Sequence, residues 1–178
     1  SSNLSVATGS TAKLDFGSNT VVFAGLQDVT GGATLQKEGG GTLKITSAVN
    51  APNVNLTLPA NSGLLAVNGT VGNVTLGTGA RLGGTGRVGN ANVGAGAFLA
   101  PGNSPGTLYA TTLVLAPGST FDWEVQNATD QSNGFDKINL TGNLDLSGVA
   151  PGQKVTFRII SRLGAGDGNQ SGNPMNFD

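Results

Sequence analysis

Residues 73–84 read NVTLGTGARLGG, and residues 90–101 read NANVGAGAFLAP. The two stretches align with asparagine, an aliphatic fourth residue, two glycines, an alanine and a leucine at matching positions. A few alternating residues favour a short strand with one buried face, and the glycines then permit a corner. An in-register repeat of twelve residues predicts stacked coils of a β-solenoid rather than the strands of a β-sandwich.

Further copies of the pattern occur outside this region, as VATGSTA (6–12), LAPGSTF (115–121) and, more loosely, LSGVAPGQKVTF (146–157). We therefore expect Leu76, Val93 and Leu115 to stack inward in successive coils. Asparagine and threonine at repeated positions suit side-chain ladders between coils. At about 20 residues per coil and roughly 4.8 Å between coils, the chain would form about nine coils.

The prolines and glycines of LAPGNSPGTL (99–108) predict a rigid corner with a geometric role. Pro105 suits the second position of a type II turn, and Gly106 suits the third position, where φ is positive. LAPGS (115–119) predicts a similar corner one coil later.

Composition excludes several classes of function. Charged residues make up 11% of the chain and the net charge is −1, so nothing attracts nucleic acid electrostatically. The chain has no cysteine and no histidine, which excludes disulfides, thiolate catalysis and sites ligated by either residue. Its apolar runs are too short to span a membrane as a helix.

The acidic residues offer one candidate for chemistry, because none lies between Glu38 and Asp122. Asp122 and Glu124, in FDWEV (121–125), would share a strand face, and Asp145 could join them from a later coil. The pair could handle a sugar beside Trp123. The simpler interpretation has Phe121, Trp123 and Val125 inward and both acids on the wet face, where neutral replacements would matter little. We favour it, and expect no catalytic, metal or cofactor residues.

Three segments resemble parts of bacterial autotransporter passengers. KEGGGTLKITSAVN (37–50) resembles the autotransporter-associated β-strand repeat. The stretch 69–108, with its GGTG coil and then APGNSPGTL, resembles the C-terminal part of passengers. The segment from STFDWEVQNAT to FDKINLTGNLDLSG is similar to the adjoining C-terminal segment of passenger-like surface proteins, including those with a PEP-CTERM sorting tail.

The resemblance implies an all-β, right-handed parallel β-helix with a more irregular β-rich C-terminal region. Residues 1–120 would form the solenoid coils, and residues 121–178 a passenger-like β region continuous with them. It also implies export and display on the outer surface of a bacterium. The expected function is a non-enzymatic extracellular scaffold, stalk or adhesin, whose partners would be a surface glycan or a protein receptor.

Two other functions remain open from the sequence. The rod could associate head to tail into an extracellular filament, because strand edges at the ends of a solenoid template further addition. Alternatively, the chain could be a polysaccharide-active β-helix enzyme, provided that the Asp122–Glu124 region lines a cleft.

Overall fold

The computed structural model describes residues 4–130, 132, 134–163 and 166–167 of the chain. All the regular secondary structure in these ranges is β-strand. In chain order the strands are β1 (Thr11–Asp15), β2 (Thr20–Phe23), β3 (Ala33–Glu38), β4 (Thr42–Ile45), β5 (Asn50–Ala51), β6 (Val54–Leu58), β7 (Leu64–Val67), β8 (Thr70–Val71), β9 (Val74–Leu76), β10 (Arg81–Gly84), β11 (Arg87–Val88), β12 (Ala91–Val93), β13 (Phe98–Pro101), β14 (Thr107–Ala110), β15 (Leu113–Leu115), β16 (Thr120–Val125), β17 (Lys137–Leu140), β18 (Leu144–Asp145), β19 (Thr156–Leu163) and β20 (Gly166–Asp167).

The strands form three sheets that the chain visits in a repeating order. The first sheet has seven strands in the order β1-β3-β6-β9-β12-β15-β18, and the second has eight in the order β2-β4-β7-β10-β13-β16-β19-β20. The third has five, in the order β17-β14-β11-β8-β5. The named strands pair in parallel except for β20, which is antiparallel to β19. Parallel sheets wound in this way form a solenoid-like fold, as the repeat predicted.

The register confirms the predicted inward stack. Val93 lies opposite Leu76 on one side and opposite Leu115 on the other. All three side chains are at most 2% exposed and belong to one hydrophobic core that runs along the coils. Offsets of 17 and 22 residues therefore place like residues directly above one another, and their apolar side chains are removed from water together.

The coils are unequal in length, and the described residues form fewer coils than the nine expected. In the second sheet, 17 residues separate Arg81 from its register partner Phe98, and 22 separate Phe98 from Thr120. The next interval, from Thr120 to Thr156, is 36 residues. Long connections around residues 126–136 and 146–155 consume the extra chain, and the first sheet has seven strands.

One four-residue turn recurs where the chain passes from the first sheet to the second, at residues 59–62, 77–80, 94–97 and 116–119. In each turn the amide N–H of the fourth residue donates to the carbonyl oxygen of the first, at 3.0 to 3.3 Å. The third residue has a positive φ, and these residues are Asn61, Gly79, Gly96 and Gly118. Both features are typical of a type II turn, which confirms the corner predicted at 115–119.

Two corners differ from their predictions. The copy at 6–12 forms the same turn, with Gly9 at φ 69°, but leads into β1 of the first sheet. Val6 is therefore buried outside the Leu76 column, because a local turn does not specify which sheets it joins. In the corner at 102–106, φ is positive at Gly102 and Ser104 rather than at Gly106, so the predicted type II turn is wrong there.

Asparagine side chains link successive coils, as the repeat predicted. Asn55 Oδ1 accepts a hydrogen bond of 2.8 Å from the backbone N–H of Asn73. Asn73 Oδ1 accepts one of 2.8 Å from the N–H of Asn90 in the next coil. This ladder satisfies backbone donors at a corner that the sheet hydrogen bonds do not reach.

Strands before residue 120 pair with strands after it in the first and third sheets, and in the second sheet β13 pairs with β16, which begins at Thr120. The pairs β15–β18, β16–β19 and β14–β17 continue the first, second and third sheets. The long β16–β19 ladder, from Thr120 opposite Thr156 to Val125 opposite Ser161, carries the candidate acidic residues.

Candidate functional site

The outer face of the second sheet carries a column of residues in direct register. Val22 lies opposite Lys44, Lys44 opposite Ala66, and Gly83 lies between Ala66 and Ala100. These residues alternate along their strands with the core leucines, which are Leu43, Leu65, Leu82 and Leu99. Because Leu99 lies opposite Phe121, Asp122 follows Ala100 in the same column, and Asp122 lies opposite Arg158.

Asp122 is at the centre of an ion-pair cluster. Its side chain is 1% exposed, and its Oδ2 accepts a hydrogen bond from Arg81 Nη1 at 2.6 Å. Arg158 binds both carboxylate oxygens, Nε to Oδ1 at 2.7 Å and Nη2 to Oδ2 at 2.7 Å. This bidentate contact raises the pKa of the Arg158 guanidinium. Both guanidinium groups also lie over the Phe98 ring, 5.0 and 5.9 Å from its centroid.

Glu124 and Asp136 form a second acidic pair beside this cluster. Glu124 is ion-paired with Arg162, while its other oxygen, Oε2, is buried without a hydrogen-bond partner among the described residues. Asp136 is buried, and its oxygens accept the backbone N–H groups of Gly106 at 2.9 Å and Glu124 at 3.0 Å. Burial raises the pKa of Asp136 to about 6, although these two N–H donors act in the opposite direction.

The simpler interpretation of FDWEV is correct for the core side of the strand and wrong for the acids. Phe121 and Val125 are buried, and Trp123 is half-buried against the core. Asp122 points outward but is not on a wet face, because Arg81 and Arg158 cover it. Sequence reasoning missed this burial, since Arg81 is 41 residues away from Asp122 and Arg158 is 36.

Asp145 does not join Asp122 and Glu124. It lies in the first sheet, opposite Val114, and its carboxylate accepts the N–H of Ser147 at 2.8 Å. Asp136 instead approaches Glu124, and Trp123 Nε1 donates to the Asp136 carbonyl oxygen at 2.6 Å. Asp136 falls in the irregular segment before β17, where no repeat signals its position.

Next to the cluster, the small side chains of the column leave an open groove of about 550 Å³. Ala66, Gly83 and Ala100 form its floor. At Gly83 a Cβ atom would lie 2.9 Å from the carbonyl oxygen of Ala100, so the floor requires glycine there. We call this depression, in the outer face of the second sheet, the sheet groove.

Polar and charged side chains surround the floor of the sheet groove. Lys44 borders it toward the first coils, and Arg81 and Glu124 border it toward the ion-pair cluster. Asn68 and the corner at 102–104 form one long side, where Asn68 Oδ1 accepts from Asn103 Nδ2 at 2.8 Å. The groove is thus an open surface with an apolar floor and with charged and amide groups around it, rather than an enclosed cavity.

Lys37 is the other buried charged group, and its contacts are structural. It is fully buried near the end of β3, and its ammonium donates to the carbonyl oxygens of Gly39, at 2.9 Å, and Ser62, which lie in the corners after β3 and β6. Burial lowers the pKa of Lys37, and the Asp15 carboxylate acts in the opposite direction. The lysine therefore joins two successive corners and is not available to a ligand.

Metal sites and membrane-spanning helices are both absent from the described part of the chain. Within it, no three aspartate, glutamate, histidine or cysteine side chains are grouped so that they could hold a metal ion. The same ranges contain no helix with the length and apolarity needed to cross a membrane.

No family model matches the chain, and no match was found among curated proteins or among solved structures. The class that can be stated is therefore structural: an all-β chain of stacked parallel sheets with a charged groove on one outer face.

Proposed function

We propose that this chain is a non-enzymatic scaffold, displayed outside the cell or on a bacterial outer surface, as the resemblance to autotransporter passengers implies. The observation that carries the proposal is the continuous stack of three sheets around one core, from β1 to β19. We also propose the finer features of the resemblance, namely a right-handed parallel β-helix with a less regular C-terminal region.

The pattern of backbone hydrogen bonds between strands supports a scaffold role. Nearly every central strand has a hydrogen-bonded neighbour on each side, so the rod is stabilised evenly along its length rather than built around one site. Repeated corners and the asparagine ladder add further links between coils. A scaffold of this kind would keep a group attached at one end at a fixed distance from the other end.

The acidic residues are poorly suited to hydrolysis, which favours the scaffold over the enzyme. A general acid or base must be within hydrogen-bond reach of the substrate and must have a free proton site. Both oxygens of Asp122 are engaged by guanidinium groups, and Glu124 is ion-paired with Arg162. Both acids therefore neutralise arginines, and Glu124 lies on the lining of the sheet groove as an ion-paired group rather than as a free acid.

Surface labelling and an activity screen test the proposal together. An antibody against the purified chain should label intact cells of the source organism, and external protease should remove the signal. The purified chain should release no reducing ends from neutral or acidic polysaccharides. Labelling only after permeabilisation would overturn the location, and release that is lost in Asp122→Asn would overturn the non-enzymatic assignment.

Head-to-tail association is the second candidate, and one observation favours it. Phe157 and Ile159 occupy register positions opposite the core residues Phe121 and Trp123, yet they are 60% and 43% exposed. Leu144, opposite the buried Leu113, is 48% exposed. The core side of the last described coil is therefore uncovered and suits a further coil from a second copy.

A further inference from the structure

We propose that the sheet groove binds an acidic oligosaccharide, and that Lys44 and Arg81 each bind a sugar carboxylate there. The inference is independent of the scaffold role, because it depends only on the groove's shape and the donors that line it. It names a site and a class of ligand that the proposed function does not specify.

The two cations that border the groove retain unused hydrogen-bond donors. Lys44 is exposed, and its ammonium contacts no carboxylate or hydrogen-bond acceptor within the described ranges. Arg81 uses Nη1 on Asp122, while its guanidinium has five N–H donors in total. Arg81 is also fixed in place, because it lies between Asp122 and the Phe98 ring. An immobilised guanidinium and an unpaired ammonium on the same lining each suit a carboxylate.

The acidic side chains next to the groove do not neutralise the positive charges of Lys44 and Arg81. Asp122 is shared between Arg81 and Arg158, and Glu124 is paired with Arg162. Asp136, which adjoins Glu124, is directed at backbone N–H groups rather than at the groove. The surface presented to a ligand is therefore cationic, although the whole chain has a net charge of −1.

The rest of the lining suits sugar hydroxyl groups. Asn68, Asn103 and Ser104 supply amide and hydroxyl groups along one side, while Leu64 supplies an apolar contact on the lining. At the far end, Glu124 lies on the lining, but its unpartnered Oε2 is buried and is not presented to a ligand. The apolar floor suits the C–H faces of sugar rings, while the amide and hydroxyl groups and the two cations on the lining suit sugar hydroxyl and carboxylate groups.

The floor gives the groove its direction. Lys44, Ala66, Gly83 and Ala100 follow one another across adjacent strands, which lie about 4.8 Å apart. The groove therefore runs along the stack of coils, and a short extended chain could lie over three strands. A longer side chain at Ala100 would block it without a change of charge.

The experiment is calorimetric titration of the chain with a tetramer of galacturonic acid at pH 7 and low salt. The matched neutral probe is the methyl ester of the same tetramer. We expect saturable binding that weakens with added salt, and binding of the ester that is at least about tenfold weaker. Lys44→Gln should weaken binding of the acid by about fivefold, as is typical of one exposed ionic contact.

Three further variants identify the site. Ala100→Phe should abolish binding by filling the groove, whereas Arg87→Gln and Lys154→Gln remove a positive charge elsewhere and should leave the affinity unchanged. Circular dichroism verifies that each variant is folded. If Ala100→Phe does not fold, the exposed Lys44→Gln variant still decides the matter. Absence of saturable binding, equal affinity for the ester, or an unchanged affinity in Lys44→Gln would each overturn the proposal.

Discussion

Asp122 is a carboxylate whose burial depends on two arginines from other coils. Removing a buried charge that holds two guanidinium groups leaves both without their partner, and breaking such a pair typically costs about 3–5 kcal/mol. The Arg81 and Arg158 side chains are 36% and 51% exposed, so water compensates for part of the loss. This environment reverses the expectation that neutral replacements of the acids matter little.

We predict that Asp122→Asn lowers the free energy of unfolding by about 2 kcal/mol, after allowance for that solvation. Urea denaturation at pH 7 measures the change. The matched control is Asp145→Asn, the same substitution at a carboxylate that makes no ion pair in the described structure and should have a much smaller effect. Equal losses in the two variants would contradict the role of the cluster.

Asp136 should give the fold a pH dependence of known sign. Because its pKa is raised from 3.8 to about 6, the folded chain binds this proton more tightly than the unfolded chain does. The protonated carboxyl therefore favours the folded state at low pH. As the pH rises from about 4 through about 6, this contribution is lost, and the free energy of unfolding falls by up to about 3 kcal/mol.

Asp136→Asn should remove this dependence, because the amide does not titrate. The measurement is the difference in unfolding free energy between the chain and the variant, from urea denaturation at several pH values from 4 to 7. Asp145→Asn is again the control, because a hydrogen bond from Ser147 lowers the pKa of Asp145, so its own effect lies mainly below about pH 4. If the difference in unfolding free energy between the chain and Asp136→Asn did not change with pH, the prediction would be contradicted.

At the scale of elements, the recurring type II corner decides how the first sheet is joined to the second. Gly118 has a φ of 79°, and a Cβ added there would meet nothing closer than 3.9 Å. Substitution at this position therefore tests backbone conformation alone. Asn61 occupies the same place in an earlier corner with a φ of 59°, so asparagine is an internal precedent.

We predict that Gly118→Ala lowers the free energy of unfolding by about 1 kcal/mol, the usual cost of a side chain in the left-handed region. Gly118→Asn should cost less, because asparagine tolerates this conformation. Thermal and urea unfolding of both variants measure the difference. An alanine variant as stable as the asparagine variant would show that the corner does not constrain the chain in this way.

Trp123 joins β16 to the segment before β17. It packs against the core, its Nε1 donates to the Asp136 carbonyl oxygen, and its ring lies 5.8 Å from that of Phe135. Because Trp123 is half-buried, Trp123→Ala should cost about 3 kcal/mol, the lower end for large core residues. Trp123→Phe keeps one aromatic ring at this position and should cost less, about 1 to 2 kcal/mol, through the lost hydrogen bond and the smaller side chain. An unchanged melting temperature in Trp123→Ala would contradict this assignment.

The difference between what the sequence predicted and what it missed depends on the range of each interaction. Leu76, Val93 and Leu115 could be aligned because the repeat is local and in register. The turn around Gly9 was recognised, but the sheets it joins depend on coils that the local pattern does not describe.

The ion-pair cluster could not be predicted for a related reason. Arg81, Asp122 and Arg158 meet only because coils of 17, 22 and 36 residues bring their strands into register. The length of the sequence repeat predicts the 17-residue interval well. It fails for the 36-residue interval, because an irregular connection sets the length of that coil. The sheet groove was missed as well, since small residues in one column become a depression only after stacking.

On the scale of the whole molecule, the stack is built by adding one coil to the next. An internal coil covers the apolar side chains of its neighbour, as Val93 is covered between Leu76 and Leu115. Phe157 and Ile159 also lie on the core side, in the last described coil, but they remain exposed. Addition of a coil from a second copy would bury them, and the contact would be heterologous, so it would propagate rather than close.

We therefore predict that purified residues 1–178 associate head to tail, and that the mean mass measured by analytical ultracentrifugation rises with concentration. The double variant Phe157→Lys and Ile159→Lys should shift the mass toward the monomer, since each lysine places an uncompensated charge where apolar contact is needed. Val22→Lys is the matched control, because Val22 is 55% exposed but lies opposite Lys44 on the outer face rather than on the core side. A mass that stays monomeric at high concentration, with no fibres in electron micrographs, would refute assembly, and the same shift in the Val22 variant would locate the contact on the outer face instead.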